Sequence, residues 1–264
     1  MSIYRQELKV NRNSILVWVI SLVILAALFL SFYPSFYDEA EEFTRIVQSY
    51  PEGVLLALDI DSTMVSSYIR YYAYIFTFIS LGFAIQAMNI GIGLLNREIS
   101  GRTAEFLLSK PVSRYQLLSS KLLAALTGLI FINVLYTAAI CLLSPMFAIH
   151  KVDYSILLLF SGALLWIQLL FLMIGLILAV FIQGIKSPVI ISISTVFSLY
   201  VLNMLTSFTQ TKGLRYVCPF QYFDTGYIIE HSAYEWKYIW LLAALITGGG
   251  FLVFTAFSHK DVKV

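Results

Sequence analysis

Six windows in this chain are apolar from end to end and carry no charged residue inside them. They run Ile15–Tyr33, Tyr71–Leu95, Leu122–Pro145, Ile156–Ile182, Pro188–Phe208 and Tyr238–Phe257. About 20 residues of helix cross the ~30 Å hydrocarbon layer of a bilayer, so each window is long enough to span it. In lipid a backbone finds no water, and only helices and closed barrels satisfy their own N–H and C=O groups. The windows therefore predict an all-α integral membrane protein with six transmembrane helices, organised as one membrane domain over residues 1–264. Only 12% of the 264 residues are charged, about half the usual share for a soluble protein.

Charge placement orients the predicted helices. With the N-terminus inside, the inner connections hold Arg5, Lys9, Arg12, Arg97, Arg102, Lys110, Arg114, Lys121, Lys186, Lys260 and Lys263. The outer side holds Arg45, Arg70, Lys151, Lys212, Arg215 and Lys237. Eleven basic residues against six place both termini in the cytoplasm of a multi-pass cell (plasma) membrane protein. The first window follows Arg5, Lys9 and Arg12 with no small-residue cleavage site after it, which predicts a retained crossing rather than a signal peptide.

Shorter elements are expected around the crossings. Ile3, Tyr4 and Leu8 alternate with Arg5, Glu7, Lys9 and Arg12 in the pattern of an interfacial elbow helix on the inner membrane surface. Phe43, Ile46, Val47 and Tyr50 recur at helical spacing before the second crossing, and Pro51 opens a further short helix through Leu58. These are outer interfacial helices, with another expected before the sixth crossing. Tyr68, Tyr71, Tyr72 and Tyr74 read as the outer headgroup boundary of the second crossing, and the aromatic loop Cys218–Asp224 as a segment dipping into the membrane.

Catalytic chemistry finds no foothold. The phosphate-loop pattern Gly-x-x-x-x-Gly-Lys-Ser/Thr is missing, and Gly248–Gly250 has no lysine after it. His150, His231 and His259 fall in different connections, so spacing predicts no metal site. Glu41 and Glu42 sit in an outer loop and read as a solvated charge run; Ser161–Gly162 reads as close helix packing. No carboxylate lies within a crossing, which speaks against a proton- or sodium-coupled carrier and makes an external energy source necessary. What the crossings do carry is uncharged polarity. Gln86 and Asn89, Asn133 and Thr137, Gln168, and Thr195, Ser198 and Asn203 are candidate substrate-pathway residues, with interhelical hydrogen bonding as the alternative role.

Between the second and third crossings lies a polar island holding five of the 17 Lys and Arg residues, counted from Arg97 to Lys121. Its string is Arg97-Glu98-Ile99-Ser100-Gly101-Arg102-Thr103-Ala104-Glu105-Phe106-Leu107-Leu108-Ser109-Lys110-Pro111-Val112-Ser113-Arg114. It resembles the permease subunits of type-2 ABC transporters, whose pattern is Glu, a spacer, Gly-x-Thr-x-Glu, two or three apolar residues, Pro-Val-Ser-Arg and a later lysine, here Lys121. The N-terminal basic segment and Pro219–Asp224 are weaker matches. The resemblance implies a cytoplasmic coupling helix on which separate ATP-binding cassette ATPase subunits dock. Phe106, Leu107 and Leu108 would fill an apolar groove on the ATPase. Glu98, Arg102, Glu105, Lys110 and Arg114 would ring that groove with charge, while Gly101 and Pro111 would bend the chain on either side.

The resemblance further implies a second permease copy or homologous permease beside this chain, membrane lipids around it and no nucleic-acid partner. ATP and Mg belong to the ATPase; this chain needs no cofactor and is not itself an enzyme. The uncharged faces favour export of a hydrophobic or amphipathic peptide or drug by alternating access. A lipid, polysaccharide or ion exporter of the same family remains an alternative, as does a non-transporting sensor or assembly factor with a permease fold.

Overall fold

The structure, a computed structural model, describes residues 3–51, 53–55, 63–182 except 101–113, 184–209 and 213–259, with the backbone alone at 97–100, 114, 209 and 258–259. No strand occurs among the described residues. The α-helices among the described residues are α1 Ile3–Ser31, α2 Tyr33–Asp38, α3 Ala40–Gln48, α4 Tyr68–Ser100, α5 Arg114–Phe147, α6 Tyr154–Phe181, α7 Pro188–Thr209, α8 Thr225–His231 and α9 Trp236–His259. Six of them, α1, α4, α5, α6, α7 and α9, are long and apolar enough to cross a membrane. The six sequence windows fall inside these six helices except for a residue or two at their ends.

Two helices form the centre. The most apolar stretch of α4 is 67% buried and that of α6 61%, against 17% for α7 and 11% for α9. The α4–α6 pair makes the most extensive contact in the molecule. Glycines bring the two backbones together: a Cβ at Gly91 would stand 3.2 Å from the Gly175 Cα, and one at Gly175 would stand 3.1 Å from the Ile92 nitrogen. Helices in lipid gain no hydrophobic energy from meeting, so close backbone approach and dispersion must hold such a pair. Around it, α1 lies along α5, and α9 packs against α6.

Local chemistry sets the helix ends. Asp153 caps α6, its Oδ1 accepting from the Ser155 and Ile156 amides at 3.0 and 3.3 Å. Asp224 does the same for α8 through the Tyr227 amide at 3.0 Å. Pro188 opens α7, where its missing N–H costs nothing. In the connection before it, Gly184 takes φ +67°, a left-handed conformation natural to glycine.

The outer and inner ends of the bundle bear on three expectations. α1 is helical from Ile3 to Ser31 with no glycine or proline inside it, so the basic segment expected as an elbow forms its first turns, which are fastened to α5. The tyrosines at the start of α4 are not a headgroup belt. Tyr68, Tyr71 and Tyr72 are each 2% exposed and point inward, their hydroxyls meeting Ser144 Oγ at 2.8 Å, the Phe29 carbonyl at 2.8 Å and the Tyr136 hydroxyl at 3.3 Å. A tyrosine whose hydroxyl finds a partner in the bundle gains more from burial than from the interface. The helix expected from Pro51 is described only at 53–55, and its Leu56 and Leu58 lie outside the described residues.

Candidate functional site

At the end of the bundle that holds the N-terminus, α4 and α5 are unusually long. Their 33 and 34 residues give each a length of about 50 Å, some 20 Å more than the hydrocarbon layer needs. Residues 101–113, which join them, lie outside the described residues. Gly101, Arg102, Thr103, Glu105, Phe106, Leu107, Leu108, Lys110 and Pro111 of the expected coupling helix lie outside the described residues. Glu98 is on the last turns of α4 and Arg114 is the first residue of α5, both as backbone.

Just above that join, three helices are knotted together by polar groups. Lys121 of α5 is 2% exposed; its Nζ donates to Glu7 Oε1 of α1 at 2.8 Å and to the Leu94 carbonyl of α4 at 2.9 Å. Tyr4 adds a hydroxyl contact with Thr127 Oγ1 at 3.1 Å. On the opposite side of α4, Asn96 Nδ2 donates to the Ile185 carbonyl, in the connection between α6 and α7, at 2.8 Å. The sequence offered one signal for this arrangement, a single acid, Glu7, among Arg5, Lys9 and Arg12.

The uncharged polar residues of the crossings divide into two groups. Gln86 and Gln168 are both fully buried and meet across α4 and α6, Gln168 Nε2 donating to Gln86 Oε1 at 3.1 Å. Gln86 Nε2 and Gln168 Oε1 have no partner. Asn133 of α5 and Ser161 of α6 exchange two bonds: Asn133 Nδ2 donates to the Ser161 carbonyl, and Ser161 Oγ donates to Asn133 Oδ1, each at 3.0 Å. Thr137 joins them through the Ser161 hydroxyl. These four candidates, Gln86, Gln168, Asn133 and Thr137, sit between helices of one chain. The rest are more open. Asn89 and Thr195 are half-buried, Ser198 is exposed beside Ser194, and Asn203 is half-buried with Oδ1 lacking a partner.

The far end is closed by the segment between α7 and α9. Phe220 packs on Phe171 and Tyr200, with ring centroids at 5.4 and 6.1 Å. Tyr200 lies nine residues from the end of α7, about 14 Å along it, so the aromatic loop does fold down into the bundle. Irregular backbone at that depth survives because it is buried in protein. Gln221 Nε2 bonds Ser207 Oγ at 3.1 Å, and Arg215 Nε bonds the Gln221 carbonyl at 3.1 Å.

Arg215 also anchors the loop's exit through an ion pair with Glu235, which Lys237 joins at 2.8 Å. Tyr238 carries Arg215 on its ring at 4.5 Å and stacks on Tyr222 at 5.5 Å. Burial acts to raise the Glu235 carboxyl, but hydrogen bonds from Lys237 and Arg215 and their charges outweigh it and hold the group below the usual carboxylate range. Cys141 and Cys218 are both free; Cys218 is buried against Thr206, Sγ to Oγ1 at 3.3 Å.

Six helices long and apolar enough to span a membrane, with a close-packed pair at their centre, define a multi-pass membrane protein. The chain belongs to the ABC-2 family of transporter proteins, whose profile it matches over residues 1–262. No curated protein and no solved structure matches it. It is thus an ABC-type permease, the membrane-embedded part of its transporter.

Proposed function

We propose that this chain is the permease of an ATP-driven exporter, powered by separate ATP-binding cassette ATPase subunits and moving a hydrophobic or amphipathic peptide or drug by alternating access. The observation that carries the reading is the string Glu98–Arg114 at the tip of α4 and α5. It has the family's docking pattern and stands on helices about 20 Å longer than the membrane requires. Both termini and this tip face the cytoplasm, supported by the eleven-to-six distribution of basic residues. ATP and Mg act in the ATPase.

The path for cargo lies along α7 and the facing part of α4, at Asn89, Thr195, Ser198 and Asn203. Support comes from the exposed face of α7, where Ser194 and Ser198 stand among Ile190, Ile193 and Phe197. Hydroxyls directed at lipid are costly, so a second copy or a homologous permease covers that face. Gln86, Gln168, Asn133 and Thr137 serve as joints between helices.

The test is co-expression with the ATPase encoded beside this chain, followed by pull-down and ATPase measurement. Changing Phe106, Leu107 and Leu108 together to Ser removes apolar anchors worth about 2 kcal/mol or more, which weakens docking roughly 30-fold. Glu98→Ala and Gly101→Val should lower ATPase stimulation with milder effects on docking. Wild-type docking and turnover in all three variants would sink the proposal.

A further inference from the structure

We infer that Glu7 and Lys121 are positioning residues that make α1 move with the inner ends of α4 and α5, so that force entering at the 101–113 join reaches a third helix. The inference rests on the permease–ATPase reading above and assigns the route by which that force spreads.

The geometry is specific. The join connects the end of α4 at Ser100 to the start of α5 at Arg114. Lys121 lies two turns into α5 and Leu94 fewer than two turns from the end of α4, so the Nζ bond to the Leu94 carbonyl closes the base of the join. The same Nζ reaches out of this pair to Glu7 at 2.8 Å. The lysine side chain is 3% exposed and the glutamate side chain 14%. An ion pair so sheltered is screened little by salt or water and holds its geometry, unlike a surface pair.

Packing and polar contacts act together on α1. Its extensive contact with α5 is through side chains such as Ile15 against Gly128, while hydrogen bonds and ion pairs add contacts of fixed direction. α1 has only 22% of its apolar stretch buried. The Glu7–Lys121 pair, with Tyr4 against Thr127 two turns further along α5, therefore supplies the directional contacts that fix α1 along and around its axis.

A buried pair also stabilises a fold, and removing one charge strands the other. Neutralising both together separates the two roles. Glu7→Gln combined with Lys121→Met removes the stranded charge along with the link, so this double variant should recover the thermal stability that either single variant loses. Its transmission should stay lost.

Transmission is read at Val10→Cys, a position on α1 that is 56% exposed, in a chain whose Cys141 and Cys218 are replaced by Ser. The rate of maleimide labelling is compared in the chain–ATPase complex without nucleotide and with ATP plus vanadate. With Glu7 and Lys121 intact, the labelling rate should change between the two states by about five-fold or more, the low end for coupled sites. In the double neutral variant the ratio should fall to one while docking of the ATPase persists. A double variant that keeps the full ratio overturns the inference, as does an intact chain that docks its ATPase but shows no nucleotide-dependent change at Val10→Cys. Failure of the intact chain to dock any ATPase overturns the permease–ATPase reading and this inference with it.

Discussion

Replacing Gly175 by Ala tests the claim that backbone contact between α4 and α6 is the centre of this protein. The new Cβ would lie 2.5 Å from the Met88 carbonyl oxygen, 3.1 Å from the Ile92 nitrogen and 3.2 Å from the Met88 carbonyl carbon. All three are backbone atoms, so no side chain can swing aside. The helices must part by roughly 1 Å at this point, a gap that forfeits a quarter to a half of the dispersion energy of the neighbouring contacts. Overfilling a packed site of this kind costs about 1–3 kcal/mol. The same opening stretches the 3.1 Å Gln168–Gln86 bond beyond bonding distance, adding ~0.6 kcal/mol.

Alanine's higher helix propensity returns up to about 1 kcal/mol, leaving a net loss of roughly 1–3 kcal/mol. At 2–4 °C per kcal/mol for a chain of this size, Tm should fall by about 3–10 °C. Gly248→Ala is the control, because a Cβ there meets nothing within 4 Å and only the propensity gain remains. Thermal unfolding of the purified chain in detergent, followed by the fluorescence of its four tryptophans, measures both. A Gly175→Ala protein that melts at or above the Gly248→Ala protein would refute the close-approach argument.

Gln86→Leu or Gln168→Leu alone leaves a buried amide facing an apolar partner and should cost about 1–3 kcal/mol, whereas the double Leu variant should return close to wild-type stability; a double-mutant cycle by thermal unfolding checks this, and additive losses would contradict it. Glu235 gives a pH dependence of known sign: its folded carboxyl is held below the usual value, so its contribution is present above about pH 4.5 and is lost as pH falls through the lower, folded value. Between pH 6 and pH 3.5 the wild type should therefore lose more of its Tm than Glu235→Gln does, and equal losses would remove Glu235 from the latch.

Hydropathy located the crossings well because lipid imposes a single requirement on every spanning segment, and each window falls within one long helix but for a residue or two, although α1 and α5 begin 12 and eight residues before their windows. The same quantity says nothing about which helix is central. The α1 stretch is the most apolar, at mean hydropathy 2.9, and is 22% buried; the α4 stretch is the least apolar, at 1.8, and is 67% buried. A residue that contacts lipid and one that contacts another helix are both dry, so apolarity does not distinguish them. Uncharged polar residues do, and Gln86 and Gln168 were legible in the sequence as candidates for such an interface or a pathway, whereas Gly91 carried no such mark. Their pairing was not, since matching Gln86 to Gln168 requires the relative height and rotation of two helices. The tyrosines of α4 misled for a related reason: Tyr68, Tyr71 and Tyr72 have hydroxyl partners inside the bundle, which their order in the sequence does not reveal.

By itself the sequence determined that the chain crosses a membrane six times, that its crossings hold no carboxylate, and that a family-specific polar string stands between the second and third of them. These are local properties, set by segment length, by the cost of charge in hydrocarbon and by residue order. Tertiary structure alone decided that α4 and α6 form the core and that Lys121 joins Glu7 to Leu94 across 114 and 27 residues of chain. Those outcomes depend on which side chains meet when helices of similar apolarity choose partners, and in lipid that choice is made by backbone approach and hydrogen bonding rather than by hydrophobicity.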